Sequence, residues 1–332
     1  MIDCLIDNQG CHDPSWNLAL EEFSVRHLDG GADTSYLLLY VNGPSVIVGR
    51  NQNTLEEIDP EFVDQEGVRV VRRISGGGAV YHDLGNLNFS FIKRFRPGAR
   101  LEFKEFTDPI VAVLHRLGVD AELTGRNDIV VAGRKISGNA QFTTSRRMFS
   151  HGTLLFDSDL DRVTQALRPR FTKIESKGLK SIRSRVANIS EFLPRAMDLG
   201  EFRDLLVEGL FGTTTPPVRQ LDAQELERVQ QLADSKYRQW NWNFGESPRF
   251  NVRKVHRFSI GELDARIDVQ AGRIESCRIY GDFLGFGEIS EIEWRLVGVR
   301  YEPADLAEAL AEVDVESYFG GLSRAEFVEF LF

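Results

Sequence analysis

Short apolar runs separated by turn residues recur through the first half of the chain and predict β-strands. These strands are expected at residues 2–6, 36–41, 45–48, 68–71, 87–92, 119–123, 129–131, 135–141 and 148–156. Helices are expected where Asp13-Pro14 and Asp59-Pro60 supply an N-cap and a first helical residue, and over residues 105–117. Strands and helices in this irregular order indicate an α+β domain with a mixed or mainly antiparallel sheet.

The pattern changes near residue 246. Helices are expected at residues 201–211 and 223–235, and an aromatic segment, 240–244, precedes Gly245 and Pro248. Beyond them the pattern predicts strands at 252–258, 263–269 and 273–280, then helices at 304–312 and 324–330. We therefore expect a first domain over residues 1–246 and a small α+β domain over 247–332.

Composition narrows the classes of function. The formal net charge of −10 disfavours sequence-independent binding to nucleic acid, which needs clustered positive charge. Cys4, Cys11 and Cys277 are odd in number and fit neither a disulfide framework nor a metal site. The sequence begins without the pattern of a signal peptide, and no apolar stretch is long enough to span a bilayer. We expect a cytoplasmic protein, a monomer by default, with no membrane or nucleic-acid partner.

A glycine-rich segment carries the strongest chemical signal. Residues 72–86 have the sequence Arg-Arg-Ile-Ser-Gly-Gly-Gly-Ala-Val-Tyr-His-Asp-Leu-Gly-Asn. Glycine lets the backbone approach a ligand closely, main-chain N–H groups can line an anion site, and arginine matches phosphate or carboxylate geometry. The spacing is neither that of a P-loop nor that of a dinucleotide-binding fingerprint. A plain hairpin turn fits the glycines alone, whereas the preceding arginines and His82-Asp83 favour a ligand loop.

A second segment with chemical content covers residues 125–141. Its pattern predicts a strand, a turn at Gly133 and a second strand, so that Asp128 and Lys135 lie on adjacent strands. One interpretation is an exposed hairpin with a surface ion pair worth about 0–1 kcal/mol. The other is a pair of charges that acts on a ligand.

A basic segment, residues 168–185, contrasts with the acidic chain. It contains Arg168, Arg170, Lys173, Lys177, Lys180, Arg183 and Arg185 but only one acid, Glu175. A solvated surface loop is the ordinary explanation of such a run. Because its charge opposes that of the whole chain, a docking surface for an acidic partner or a phosphate is the alternative.

Taken together, the motifs resemble the lipoate–protein ligase A family, in its large two-domain bacterial type. The resemblance rests on residues 72–86, 125–128, 133–138, 151–155, 177–186 and 242–245 in this order, and weakens after about residue 250. It implies the catalytic fold shared with biotin–protein ligases, followed by a small accessory domain. It also implies a two-step reaction, in which lipoate and ATP with Mg²⁺ form lipoyl-adenylate, and an acceptor lysine then releases AMP. The implied acceptors are lipoyl domains of 2-oxo acid dehydrogenase E2 subunits and the glycine-cleavage H protein.

Specific roles follow from this resemblance and from the chemistry of joining a carboxylate to a phosphate, which needs positive charge and N–H donors. Lys135 is the predicted catalytic residue. The predicted ATP and adenylate contacts are Arg73, Gly76, Gly77, Gly78, Ala79, Val80, Tyr81 and Lys135. Lipoate is expected to contact Arg73, His82 and Lys135, and Asp128 is expected to hold Mg²⁺. Acceptor docking is assigned to Lys177, Lys180, Arg183 and Arg185.

Other functions remain open from the sequence. An octanoyl or lipoyl transferase of the same fold would act between carrier proteins without ATP, and such enzymes can use a cysteine. None of the cysteines lies in the glycine-rich segment or in residues 125–141, which weakens that route. A biotin–protein ligase and a non-catalytic adenylate-binding protein are further alternatives. Octanoate could replace lipoate as the acyl substrate.

Overall fold

The structure is a computed structural model and describes residues 2–28, 33–95, 102–125, 127–167, 185–244, 252–270 and 272–332. The chain forms two compact units. Unit 1 comprises Met1–Ile47, Leu55–Arg72 and Val80–Asn243, and unit 2 comprises Val48–Thr54, Arg73–Ala79 and Phe244–Phe332. The predicted domain boundary at 246/247 lies outside the described residues and stays a prediction.

Eleven strands precede residue 244 within the described part of the chain. They are β1 (Cys4–Ile6), β2 (Tyr36–Tyr40), β3 (Ser45–Val48), β4 (Arg69–Arg72), β5 (Val80–His82), β6 (Asn86–Arg94), β7 (Ala121–Thr124), β8 (Asp128–Val131), β9 (Arg134–Thr143), β10 (Arg147–Leu155) and β11 (Val218–Arg219). Eight of them form one sheet in the order β11-β1-β2-β6-β10-β9-β8-β7. Only the β1–β2 and β1–β11 pairs in this sheet are parallel. The predicted mixed, mainly antiparallel sheet is therefore confirmed.

The helices of this region come between the strands. They are α1 (Pro14–His27), α2 (Thr54–Glu57), α3 (Pro60–Gln65), α4 (Lys104–Arg116), α5 (Leu160–Ala166), α6 (Leu199–Phe211), α7 (Ala223–Leu232) and α8 (Trp240–Asn243). The predicted caps form, because Asp13 accepts a hydrogen bond from Ser15 N, and Asp59 accepts from Glu61 N and Phe62 N. The helix expected over 223–235 ends instead at Leu232 and continues as a π-helix, Ala233–Tyr237. Strands β5 and β11 and helices α2, α5 and α8 were not predicted.

Alternation along β6 separates two faces of the large sheet. Leu87, Phe89 and Phe91 enter a hydrophobic core with Leu114 of α4 and Phe202 of α6. Polar residues Asn86, Asn88 and Ser90 take the intervening positions and are also buried. The sheet is thus covered on both faces, with an apolar layer on one side and polar groups on the other.

Helix α1 is buried along most of its length, from Pro14 to Val25, and it carries charge into the interior. Glu22 accepts hydrogen bonds from Lys236 Nζ and from Tyr237 Oη, each at 2.7 Å. Burial opposes ionisation of Glu22, but the Lys236 ammonium and the Tyr237 hydroxyl outweigh burial and hold its pKa below the ordinary value. The π-helix thus supplies two of the groups that bind this carboxylate, and Arg26 of α1 supplies another through Nε, at 2.8 Å from Glu22 Oε1.

The C-terminal part of unit 2 is an α+β arrangement, as predicted. An antiparallel sheet has the order β12 (Val252–Phe258), β13 (Gly261–Gln270) and β14 (Arg273–Gly281). Helices α9 (Ile289–Leu296), α10 (Pro303–Ala309), α11 (Val315–Phe319) and α12 (Arg324–Leu331) pack on it around Leu263, Ile279 and Phe319. Helices α9 and α11 were not predicted. None of the helices that the structure describes has the length and apolar character needed to cross a membrane.

Candidate functional site

Lys135 and Asp128 meet on a hairpin formed by β8 and β9. The turn between these strands uses left-handed backbone at Ala132 (φ 50°) and Gly133 (φ 74°). Register then places Asp128 opposite Gly138 and Val130 opposite Lys135. The predicted placement of both charges on adjacent strands is confirmed, and we call β8 and β9 the Lys135 hairpin.

The two charges form an ion pair that faces solvent. Lys135 Nζ lies 2.8 Å from Asp128 Oδ1, and each side chain is 37% exposed. The lysine side chain crosses directly over Gly138, where an added Cβ would lie 2.8 Å from Nζ and 2.9 Å from Cε. Gly138 therefore leaves the space that the ammonium occupies. Because a partly exposed pair contributes only about 0–1 kcal/mol, an anionic ligand can compete for the lysine at little cost.

Asp128 is the carboxylate predicted to hold Mg²⁺. Across the described residues, no three or more His, Cys, Asp or Glu side chains are grouped as a metal cage. Magnesium does not require such a cage, because it is commonly held by one or two carboxylates together with substrate phosphates and water. Asp128 bonds Lys135 through Oδ1, and a second carboxylate oxygen is available by its chemistry. The donor set therefore fits Mg²⁺ only in company with phosphates.

Residues 73–79, which we call the glycine loop, belong to unit 2 and are organised by Arg73. This buried guanidinium donates through Nη2 to Gly76 O (2.6 Å) and Gly78 O (2.8 Å), and through Nε to Ser75 Oγ (3.0 Å). The side chain thus holds the carbonyls of the loop. Direct contact of Arg73 with phosphate or lipoate stays a prediction, and so do the ligand roles of Gly76 to Ala79.

Two further segments of unit 2 support the glycine loop, and sequence reasoning missed both. A Cβ on Gly49 would lie 1.9 Å from Gly77 O, and a Cβ on Gly76 would lie 2.6 Å from Phe283 O. Gly77 N donates to Phe283 O (3.4 Å), and Gly281 N donates to Asn51 O (2.7 Å). Glycine at positions 49 and 76 is required here for close packing.

Arg72, the neighbour of Arg73, has a structural role in unit 1. Its Nε donates to Trp242 O (3.0 Å), its Nη2 donates to Asn243 O (3.2 Å), and Trp242 Nε1 donates to Arg72 O (2.8 Å). Lys236 Nζ lies 4.2 Å from the centre of the Trp242 ring. This aromatic segment therefore packs onto β4, as expected for a tryptophan outside the chemistry.

Val80, Tyr81 and His82 lie on β5, which pairs antiparallel with β3 in unit 1. Burial raises the pKa of Tyr81, so that its hydroxyl stays protonated. His82 is 3% exposed, and its Nδ1 lies 3.0 Å from Asn42 Nδ2. The next residue fixes the chain beyond β5, because Asp83 accepts from Gly85 N (2.9 Å) and from Asp159 N (2.8 Å). The predicted ligand roles of Val80, Tyr81 and His82 stay predictions.

A second buried histidine lies on the polar face of the large sheet. His151 Nδ1 is 2.9 and 3.0 Å from the two carboxylate oxygens of Glu21 on α1. An ionised carboxylate only accepts, so this nitrogen carries the hydrogen. Among the described residues, the buried oxygens Asn86 Oδ1 and Ser90 Oγ have no hydrogen-bond partner. Ordered water or a ligand is the ordinary partner for such groups. Sequence reasoning missed Glu21, which is separated from His151 by 130 residues.

The predicted docking residues are only partly described. Lys177, Lys180 and Arg183 lie outside the described residues, and Arg185 is exposed. Immediately after Arg185, Val186 forms a parallel bridge with Lys135, and Ala187 N donates to Lys135 O (3.0 Å). The described end of the basic segment is therefore attached to the Lys135 hairpin. Its role in acceptor docking stays a prediction.

Comparison with known proteins identifies the family. Residues 13–211 match the lipoyl protein ligase A/B catalytic domain, and residues 247–331 match the bacterial lipoate protein ligase C-terminus. The curated relative lipoate-protein ligase LplJ of Bacillus subtilis is 52% identical over 330 residues, which cover 98% of this chain and 99% of the relative. The chain therefore belongs to the lipoate–protein ligase family and is an enzyme of that class.

Solved structures agree with this assignment. The structure of LipL1 from P. falciparum in complex with lipoate has a TM-score of 0.78 at 23% identity, over 95% of each chain, and shows the shared fold. A lipoate-protein ligase A bound with ATP has a TM-score of 0.61 at 29% identity, over 74% of this chain and 99% of that chain. The predicted fold class is confirmed.

Proposed function

We propose that this enzyme joins lipoate to a lysine of an acceptor protein in two steps that use ATP. Lipoate carboxylate attacks the α-phosphate of ATP, which forms lipoyl-adenylate and releases pyrophosphate. The acceptor amine then attacks the acyl carbonyl, which forms an amide and releases AMP. The single observation that carries this proposal is the accessible Lys135–Asp128 pair over Gly138.

Lys135 supplies the positive charge that the first step needs. The lipoate carboxylate and the α-phosphate are both anions, and an ammonium between them offsets their repulsion. Since the ion pair with Asp128 is exposed, the ammonium can turn to a ligand without leaving a buried charge behind. In the second step the same ammonium stabilises negative charge on the acyl oxygen. Asp128 would hold Mg²⁺, which supplies charge neutralisation for the phosphates when it is bound.

The glycine loop is proposed to bind the phosphates of ATP. Arg73 captures the carbonyls of Gly76 and Gly78, and carbonyls that pointed at a phosphate would repel it. The remaining main-chain N–H groups of a glycine-rich loop are suited to anions. Support also comes from the related lipoate-protein ligase A, which is bound with ATP.

The proposed substrates, acceptors, localisation and oligomeric state are those implied by the family resemblance. We propose lipoate or octanoate as the acyl substrate, and lipoyl domains of E2 subunits or the H protein as acceptors. Arg185 and the preceding basic residues Lys177, Lys180 and Arg183 would dock these acceptors, which requires that the acceptor surface be acidic. We further propose a cytoplasmic monomer, with a catalytic domain over 1–246 and an accessory domain over 247–332.

One assay tests this function. Purified full-length protein is incubated with an apo lipoyl domain and lipoate, with and without ATP, and the products are followed by mass spectrometry and by AMP release. The proposal predicts a lipoylated acceptor and one AMP per acceptor, with both products dependent on ATP. Acceptor modification from octanoyl-carrier protein without ATP would instead establish a transferase. Tight adenylate binding without turnover would establish a binding protein.

A further inference from the structure

A chain of buried side-chain amides connects His82 to the main chain before α1. His82 is 3% exposed, and Asn42 and Asn17 are each 0% exposed. Asn17 Nδ2 lies 2.9 Å from Asn42 Oδ1, and Asn42 Nδ2 lies 3.0 Å from His82 Nδ1. All of these residues belong to unit 1. This series of hydrogen bonds therefore leads from Asn17 on α1, through Asn42 in the segment after β2, to the ring of His82.

The main chain fixes the direction of every hydrogen bond in this series. Cys11 O can only accept, and it lies 2.9 Å from the side-chain amide of Asn17, so the facing atom must be Nδ2. Asn8 gives a second constraint. Its Oδ1 accepts from Gly10 N, so its Nδ2 is the atom that donates to Cys11 O and, at 3.3 Å, to Asn17 Oδ1. The same Asn17 nitrogen faces Asn42, whose facing atom must then be the oxygen. Asn42 consequently turns its NH₂ group toward His82.

A donor at this position decides the protonation of the imidazole. Because Asn42 donates to His82 Nδ1, that nitrogen must hold a lone pair rather than a hydrogen. An imidazolium would place an N–H against the hydrogens of Asn42 at 3.0 Å, at a buried position. The hydrogen bond from Asn42 therefore favours the neutral imidazole with its hydrogen on Nε2.

We propose that Asn42 and Asn17 are positioning residues that hold His82 as a neutral donor through Nε2–H toward the reacting acyl or phosphate oxygen. This inference rests on the proposed function for the identity of that oxygen. A donor fixed in one tautomer needs no reorganisation when charge develops on its partner, which is the basis of electrostatic preorganisation. The network thereby links the first turn of α1 to the chemistry.

The tautomer can be measured in the wild-type protein without any substitution. The chain has six histidines, so a sample labelled with ¹⁵N-histidine gives few ring signals, and comparison with His82→Gln assigns those of His82. We expect a protonated Nε2 and an unprotonated Nδ1. A protonated Nδ1, alone or together with Nε2, would overturn the proposal. This measurement stands even if the protein proves not to use ATP.

A substitution then tests the effect on the reaction. Asn42→Asp replaces the donor with an acceptor and should move the hydrogen from Nε2 to Nδ1. We expect lipoate-dependent adenylate formation to fall by about 10²-fold in kcat, as for loss of one aligned donor. Asn188→Asp is the matched control, because Asn188 is also buried and donates to a main-chain carbonyl, Ser158 O, at 2.9 Å.

Substitution in the His82→Gln background separates positioning from folding. A glutamine at position 82 has no tautomers, so adding Asn42→Asp to His82→Gln should lower kcat for adenylate formation by less than about threefold. If Asn42→Asp acted only by disturbing the structure, it would lower kcat by the same factor in both backgrounds. Equal losses in the two backgrounds would overturn the proposal. So would an unchanged rate in folded Asn42→Asp protein. If wild-type protein forms no adenylate at all, the proposed function fails, and the tautomer measurement alone decides the assignment of Asn42.

Discussion

Two clusters of polar side chains in unit 1 differ in how far they are exposed to solvent. The Lys135 hairpin presents one ion pair, Lys135–Asp128, with each side chain 37% exposed. The second group, which we call the α1 polar cluster, comprises Asn17, Glu21 and Glu22 on α1 together with the side chains that they bond. These three helix residues are at most 4% exposed. The exposed ion pair can open so that its charges bind a ligand, whereas the hydrogen bonds of the buried cluster are fixed when the protein folds.

The difference assigns separate tasks to the two groups. A half-exposed pair is weak, so a substrate anion can replace Asp128 as the partner of Lys135. A buried polar network is costly to break, because any group left without its partner keeps its full desolvation penalty. We therefore expect changes in the hairpin to alter activity and changes at Glu22 to alter stability.

Removal of the lysine should produce the largest effect. Lys135→Ala is expected to lower kcat for adenylate formation by about 10²–10³, equivalent to about 2.7–4 kcal/mol. Its free energy of unfolding should change by less than about 1 kcal/mol, because the pair is exposed. Single-turnover kinetics and urea denaturation measure the two quantities. A stability loss as large as the catalytic loss would show that Lys135 behaves like a buried residue of the α1 polar cluster, and the comparison would fail.

Glu22→Gln should show the opposite profile. Lys236, Tyr237 and Arg26 lose their charged partner, and we expect a loss of about 2–3 kcal/mol in the free energy of unfolding. The pKa of Glu22 is lowered in the folded protein, so its contribution is present above the unfolded pKa, near 4.3, and is lost as pH falls through the folded value. Thermal melts from neutral to acid pH should show a smaller acid-induced loss in Glu22→Gln. Exposed Glu208 is the control, and an equal effect of Glu208→Gln would refute the assignment.

Gly138→Ala sharpens the comparison within the hairpin. The new Cβ would lie 2.8 Å from Lys135 Nζ, and the flexible lysine must move away. We expect kcat for adenylate formation to fall about tenfold with little change in melting temperature, because misplacement by about 1 Å can cost up to 10²-fold. Gly200→Ala, at the start of α6, controls for the general effect of the substitution. Wild-type activity in Gly138→Ala would show that the observed lysine position is not the working one.

Asp128→Asn should have only a small effect on stability, of the same size as that of Lys135→Ala. Loss of one exposed ion pair predicts a change of less than about 1 kcal/mol in the free energy of unfolding, reduced further at high salt. Urea denaturation at two salt concentrations measures this change. A loss above 2 kcal/mol would mean that the hairpin pair is structural after all.

The sequence predicted those parts of the fold whose signals are local. Strands β3 and β12 have the predicted bounds because each is a short run flanked by turn residues, and α1 begins at its Asp-Pro signal. Strand β5 was missed, since the strand with which it pairs in the described structure, β3, lies about 35 residues earlier in the chain. Helix α5 was missed although Asp159 caps it by hydrogen bonds to Asp161 N and Arg162 N. Local sequence signals therefore predicted most strands and helices, but the first and last residues of only some of them.

The candidate site also contains features that local sequence predicts and features that only the folded structure shows. A hairpin fixes which residues face each other, so the Lys135–Asp128 pair could be predicted from a strand, a turn and a strand. Asn42 and His82 are 40 residues apart, and Asn17 and Asn42 are 25 apart, so only the folded chain brings them together. The sequence analysis assigned ligand contacts to Arg73 and none to Arg72, although an arginine at either position is compatible with phosphate. Their hydrogen bonds show that one holds Trp242 and the other holds the glycine loop.

Exchange of labelled pyrophosphate into ATP tests most directly whether Lys135 joins lipoate to the nucleotide. The assay contains protein, ATP, Mg²⁺ and lipoate but no acceptor, so only reversible adenylate formation can produce labelled ATP. The proposed chemistry predicts exchange that requires lipoate in wild-type protein and falls by at least 10²-fold in folded Lys135→Ala protein. Exchange at the wild-type rate in Lys135→Ala, or none in wild-type protein that lipoylates its acceptor, would contradict it.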